Sequence, residues 1–133
     1  KSTQGCIEYS FPAIRAGREV DKIKLKFKDG KVIEATAVKG ENYLKECLEM
    51  DAGAKYLGEF GIGFNLNIKK FVKNILFDEK ISGSIHLALG RAYKEGGGTN
   101  ESALHWDMIK DLRTEGKIIV DEKVIQEKGK FLI

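Results

Sequence analysis

The chain has 133 residues, 42% apolar and 32% charged, which suits one domain with a packed core and excludes intrinsic disorder. Its 23 basic and 20 acidic residues leave a net charge of +3, too mixed to mark a nucleic-acid-binding domain. No apolar run approaches the roughly 20 residues of a membrane helix, so no membrane partner is expected.

The first element is "CIEYSFPAI", a short strand that bends at Pro12, the only proline. "DKIKLKFKDGKVIEATAV" follows with the clearest pattern of the chain. Ile23, Leu25 and Phe27 alternate with Lys22, Lys24, Lys26 and Lys28, and Asp29-Gly30 reverses the chain into Val32–Val38. This predicts an antiparallel hairpin with one face on the core and its lysines in water, where they discourage edge pairing. A nucleic-acid module using the lysine face is the competing reading, and nothing else in the sequence supports it. "ENYLKECLEMDA" places Tyr43, Leu44, Cys47 and Leu48 at helical spacing, with Gly53 just past the expected end.

"LGEFGIGFNLN" returns to strand, "IKKFVKNILFDEK" is partly helical, and "SIHLALG" is a strand. "KEGGGTNES" is a polar Gly-rich loop; without the Lys-Ser/Thr of a P-loop, and preceding a strand, it is not a nucleotide site. "ALHWDMIKDL" is a further strand, and "GKIIVDEKVIQEKGKFLI" a closing hairpin turning near Asp121–Lys123. The whole reads as one α+β domain over residues 1–133, antiparallel-rich, with a mixed sheet and a few helices.

In a strand, residues i and i+2 share a face. His105 and Asp107 therefore lie together, opposite Trp106 and Met108. His86 shares its face with Ser84, Ala88 and Gly90, and Glu59 shares its own with Gly61 and Gly63. Three strands thus each carry a ligand-type residue, two of them flanked by the smallest side chains, and such a face has room for a metal ion, water and substrate. Structural alternatives stand beside this reading. His86 suits a neutral core histidine, His105–Asp107 a surface ion pair, Glu79 a helix-start carboxylate and Tyr93 a strand cap. Cys6 and Cys47 lack zinc-finger spacing, so a reduced pair and a cytoplasmic location are expected, with one disulfide compatible with the sequence.

The segments "GEFGIGFN", "LFDEKISGSIHLALGRAY", "GGGTNESALHWDMIKDLR" and "GKIIVDEKVIQEKGKF" resemble, in that order, the C-terminal part of the aminopeptidase T family. These thermophilic metalloproteases are metal-dependent aminopeptidases with two divalent ions. The resemblance implies metal ligation by Glu59, Glu79, His86, His105 and Asp107, and catalytic roles for Tyr93 and Glu59. It also implies two divalent cations (Zn, Co or Mn), peptide substrates with a free N-terminus, and a homodimer. The ions would activate a water and polarise the scissile carbonyl. The family has a further glutamate just upstream of the segment matching "IEYSFPA", and Glu8 lies too far along to supply it. The chain, which opens on "KSTQGC" without an initiator Met or a signal peptide, is therefore expected to be a fragment lacking an N-terminal α/β domain. As such it would be inactive or nearly so alone. The alternative is a catalytically silent domain that binds metal or self-associates.

Overall fold

The computed structural model describes residues 2–133. The chain opens with β1 (Gly5–Glu8), a hairpin of β2 (Ala13–Arg15) and β3 (Arg18–Val20), then β4 (Lys24–Lys28) and β5 (Lys31–Thr36). Alternation decides the faces of β4: Leu25 and Phe27 are buried while Lys24, Lys26 and Lys28 are exposed. Asp29 (φ 52°) and Gly30 (φ 79°) both take positive φ, which matches the twist of a two-residue hairpin. A register shift after Lys26 takes up one extra residue, Ile33, in β5. The expected hairpin is thus present, ending at Thr36. The lysines do not guard an edge, however, because β1 pairs with the other side of β4. Lys24 and Lys26 instead reach Glu8 (3.0 Å) and Glu34 (2.9 Å) across the solvent face.

Helix α1 (Glu41–Leu48) buries Leu44, Cys47 and Leu48. Gly53 does not end it; the helix stops at Glu49, and a β-carbon at Gly53 would collide with the Glu101 carbonyl. Its small size therefore serves a close crossing of two backbone segments. Next come β6 (Leu57–Ile62), the short helix α2 (Ile75–Asp78), β7 (Ser84–Gly90) and, after a 3-10 turn at Lys94–Gly96, β8 (His105–Asp111). The chain closes on β9 (Lys117–Val120), β10 (Lys123–Glu127) and β11 (Lys130–Phe131). The final hairpin turns at Asp121-Glu122 as expected, and β11 adds a third strand to it.

The architecture is α+β. Among the described residues the named strands pair antiparallel in four small sheets rather than in one mixed sheet, and the parallel contact is the isolated bridge Asn65–Ile81. The core lies between the inner faces of β1-β4-β5 and β6-β7-β8, with α1 covering it: Leu25, Phe27, Leu44, Leu48, Leu87, Leu89, Trp106 and Met108 form one cluster. No helix among the described residues is long and apolar enough to cross a membrane. Cys6 is exposed, Cys47 is buried, and both are free thiols.

Candidate metal centre

Register across β6-β7-β8 brings the ligand-type residues onto one face. Ala88 on the central strand lies opposite Glu59 on one side and Asp107 on the other. Gly61 lies opposite His86, and Gly90 opposite His105. The shift at Gly58 puts Glu59 rather than its neighbour on this face. Leu87 and Leu89 of β7 and their partners Met108 and Trp106 face the core, so one sheet has a dry side and a polar side.

On the polar side the groups meet. His86 Nε2 is 3.4 Å from Glu59 Oε1, His105 Nε2 is 3.8 Å from Glu59 Oε2, and the same nitrogen is 3.3 Å from Asp107 Oδ2. Two sets of possible metal-ligand atoms each lie within 4.8 Å of one another: Glu59, His105 and Asp107, and Glu79, His86 and Asp107. Asp107 belongs to both. Glu79 joins from outside the sheet, at the C-terminal end of α2, so it is not a helix-start carboxylate. Tyr93 is not among the side chains that meet; it precedes the 3-10 turn and is 59% exposed.

Residues 1–131 match the family described as thermophilic metalloprotease (M29). The chain belongs to this family. It is 34% identical to aminopeptidase AmpS of Bacillus subtilis, over 84% of this chain and 32% of that protein. Aminopeptidase T of Thermus aquaticus is 32% identical, over 80% of this chain and 29% of that protein. A solved structure of wild-type AmpT from Thermus thermophilus superposes with a TM-score of 0.77 at 27% identity, covering 98% of this chain and 36% of that one. The chain thus spans about a third of the length of these relatives.

A metalloprotease family implies divalent metal, and the residues present fit it. His105 Nδ1 lies 2.9 Å from the Arg91 carbonyl. A carbonyl only accepts, so Nδ1 carries the hydrogen, and in the neutral ring Nε2, the atom facing Glu59 and Asp107, offers its lone pair to a cation. Asp107 Oδ1 and His86 Nδ1 are buried without a hydrogen-bond partner among the described residues. Burial pushes the Asp107 carboxyl above its ordinary range; Glu79 and Glu59 push the same way, and His105 and His86 oppose them. A buried, under-bonded carboxylate is costly, and a bound cation removes that cost.

The small residues of this face do not all leave room for ligands. A β-carbon at Gly61 would collide with Cε1 and Nε2 of His86, so the ring itself occupies that space. Likewise the space beside Gly63 is filled by the Ile81 carbonyl. Ala88, fully buried between Glu59 and Asp107, is the one that keeps the floor low.

Two anchors escaped the sequence reading. Asp51 accepts hydrogen bonds from Ala103 N–H (2.7 Å), Ser102 Oγ (2.7 Å) and Gly53 N–H (3.0 Å), which hold its carboxyl below the usual range. Asn100 donates from Nδ2 to the carbonyls of Gly53 (2.9 Å) and Gly90 (2.7 Å). Together they fix the loop that delivers His105 to β8. The sequence signal was Asp-x-Gly in "DAG", a side-chain-closed turn. Asp78 works similarly on α2: buried, it accepts from Val72 N–H (2.9 Å) and Asn74 N–H (2.8 Å), and so steadies the helix that ends at Glu79.

Proposed function

We propose that this chain carries the metal centre of an aminopeptidase that releases N-terminal amino acids from peptides. The observation that carries the reading is the sharing of Asp107 between two sets of ligand atoms. In this reading Glu59, His105 and Asp107 would hold one divalent cation and Glu79, His86 and Asp107 a second, with Asp107 belonging to both sets. Nitrogen and oxygen donors of this kind suit Zn, Co or Mn. When bound, such a pair supplies an activated water and a Lewis acid for the scissile carbonyl.

The protein groups do the rest. Glu59 is only partly buried and lies between two imidazoles, so the carboxylate oxygen that the cation leaves free is placed to accept a proton and return it to the leaving amine. The family resemblance assigns Tyr93, an exposed residue at the end of the loop after β7, to donate a hydrogen bond to the developing oxyanion once substrate is bound. The His105 side chain is 31% exposed, so solvent screens the charges of the site on that side. Turnover by the 133-residue unit alone is therefore expected to be low. Cytoplasmic location and a homodimer belong to the same reading. Exposed Phe64, Leu66, Leu76 and Phe77 favour association, and they also favour the alternative of a silent, self-associating domain.

The test is metal content together with release of free amino acid from a small amino-acyl substrate. Two divalent ions per chain and chelator-sensitive turnover in a longer chain that includes this one are expected. Chelator-insensitive turnover would remove the reading, and metal binding without turnover would favour the silent domain.

A further inference from the structure

Two of the metal-ligand residues share a cavity with a cation that the chain leaves unpaired. A space of about 370 Å³ is lined by His105 and Asp107 and also by Arg15, Trp106, Phe71 and Ile75. Arg15 makes no ion pair among the described residues, and its buried Nε has no hydrogen-bond partner there. The acidic groups around it are already engaged. Asp78, on the same cavity, accepts from the N–H groups of Val72 and Asn74, and Glu19 pairs with Lys39 (2.8 Å) and Lys73 (3.0 Å). Arg18, directly opposite Arg15 in the β2-β3 pair, sets a like charge beside it, and the exposed Glu46 answers Arg18 only at 3.9 Å. Trp106 adds a second unmet donor: the residue is 3% exposed, and its Nε1–H has no acceptor among the described residues. Tyr43 adjoins both, its ring 6.0 Å from the Trp106 ring and its hydroxyl donating to the Arg15 carbonyl at 3.3 Å. Buried donors without an acceptor, one of them cationic, are costly, and an anion removes that cost.

We propose that this cavity is a carboxylate subsite for the peptide substrate, with Arg15 and the Trp106 indole N–H as its donors. This rests on the aminopeptidase reading above and gives that site a substrate class: peptides with a carboxylate close to the free N-terminus. The metal ligands His105 and Asp107 come from β8 and the cation from β2, which packs against β8, so anchor and subsite lie on neighbouring elements. The cavity is at the small end of ligand pockets, so the carboxylate must lie within a residue or two of the bond that is cleaved. Two groups meet that condition, the acidic side chain of the first residue and the C-terminus of a short peptide. Phe71 and Ile75 supply apolar contact for the carbon chain that leads to either. A guanidinium suits this task because it stays charged and its planar donors match a carboxylate.

The chain has one tryptophan, so its indole N–H gives a single resonance that reads the subsite apart from catalysis. Zinc alone tests the metal reading, by shifting the ring nitrogens of His86 and His105. The zinc-treated chain is then titrated with two matched pairs: glutamyl-alanine amide against glutaminyl-alanine amide, and alanyl-alanine against its own amide. In at least one pair the carboxylate member should bind about tenfold more tightly or better, the gain expected of a hydrogen bond to a charged group. The same peptide should move the indole resonance. A preference in the first pair assigns the subsite to an acidic side chain, one in the second to the C-terminus, and either upholds it. Arg15→Gln should abolish the preference and leave the histidine response to zinc unchanged. Equal binding within both pairs, an indole unmoved by the tighter peptide, or a preference that Arg15→Gln retains would overturn the proposal and leave the metal reading intact. A carboxylate preference in a chain whose histidines ignore zinc would uphold the subsite and overturn the metal reading.

Discussion

The two faces of the β6-β7-β8 sheet share a backbone and differ in everything else. On one, Leu87, Leu89, Trp106 and Met108 are sealed into the core. On the other, Glu59, His86, His105 and Asp107 crowd together with an unpartnered buried oxygen and an unpartnered buried nitrogen. The first face is satisfied by packing alone. The second is not satisfied among the described residues, and a bound cation would satisfy it. The difference teaches that stability and function are encoded on alternate residues of the same strands.

Substitutions should separate the two faces. The largest effect on stability is expected at Leu89, which is fully buried: Leu89→Ala should cost about 2–5 kcal/mol in denaturant titration, with metal affinity of the remaining folded protein unchanged. His105→Ala should do the opposite. It should cost the metal-free chain no more than about 1 kcal/mol, the loss of one hydrogen bond to Arg91, yet remove tight metal binding measured by calorimetry. If the two variants behave alike, the faces are not functionally distinct.

Gly61→Ala comes next. Its new methyl must displace the His86 ring, so calorimetry should show the ion held by His86 weakened more than the ion held by His105. A smaller effect is expected from pH on the metal-free chain. The Asp107 carboxyl is raised in the folded state, so its contribution to stability is full below the unfolded value of about 3.9 and is lost as pH rises through the folded value. The stability of the wild-type chain relative to Asp107→Asn should therefore fall across that window in thermal melts. A difference that rises with pH would reverse the sign and sink the account of Asp107. Tyr93→Phe should be mildest of all on the protein itself, lowering kcat in an active, longer chain while metal content and stability stay the same.

What was legible in the sequence follows from what period-two alternation can report. It gave the β4-β5 hairpin, because each lysine of β4 is exposed while Leu25 and Phe27 are buried, and it put His105 with Asp107 on one face and Glu59 and His86 each beside small residues. It missed β2-β3 and β11, which are too short to establish a period, and it set Gly53 at a helix end when the residue serves a backbone crossing. Cross-strand register lies outside any single strand, so the pairing of Ala88 with both Glu59 and Asp107 was not readable. Nor was the role of Gly61, whose space is filled by a ring 25 residues away in sequence. Asp51 and Asn100 bind backbone groups brought near only by folding, and a single polar residue in a loop carries no periodic signal.

The central claim is that Asp107 serves two ions at once, and metal stoichiometry tests it most directly. Zinc bound per chain should be compared by calorimetry and elemental analysis for the wild type, His86→Ala, His105→Ala and Asp107→Asn. The account predicts two ions for the wild type, one weakened ion for each histidine variant, and loss of tight binding at both positions for Asp107→Asn. Retention of one tightly bound ion by Asp107→Asn, with both histidines intact, would contradict it.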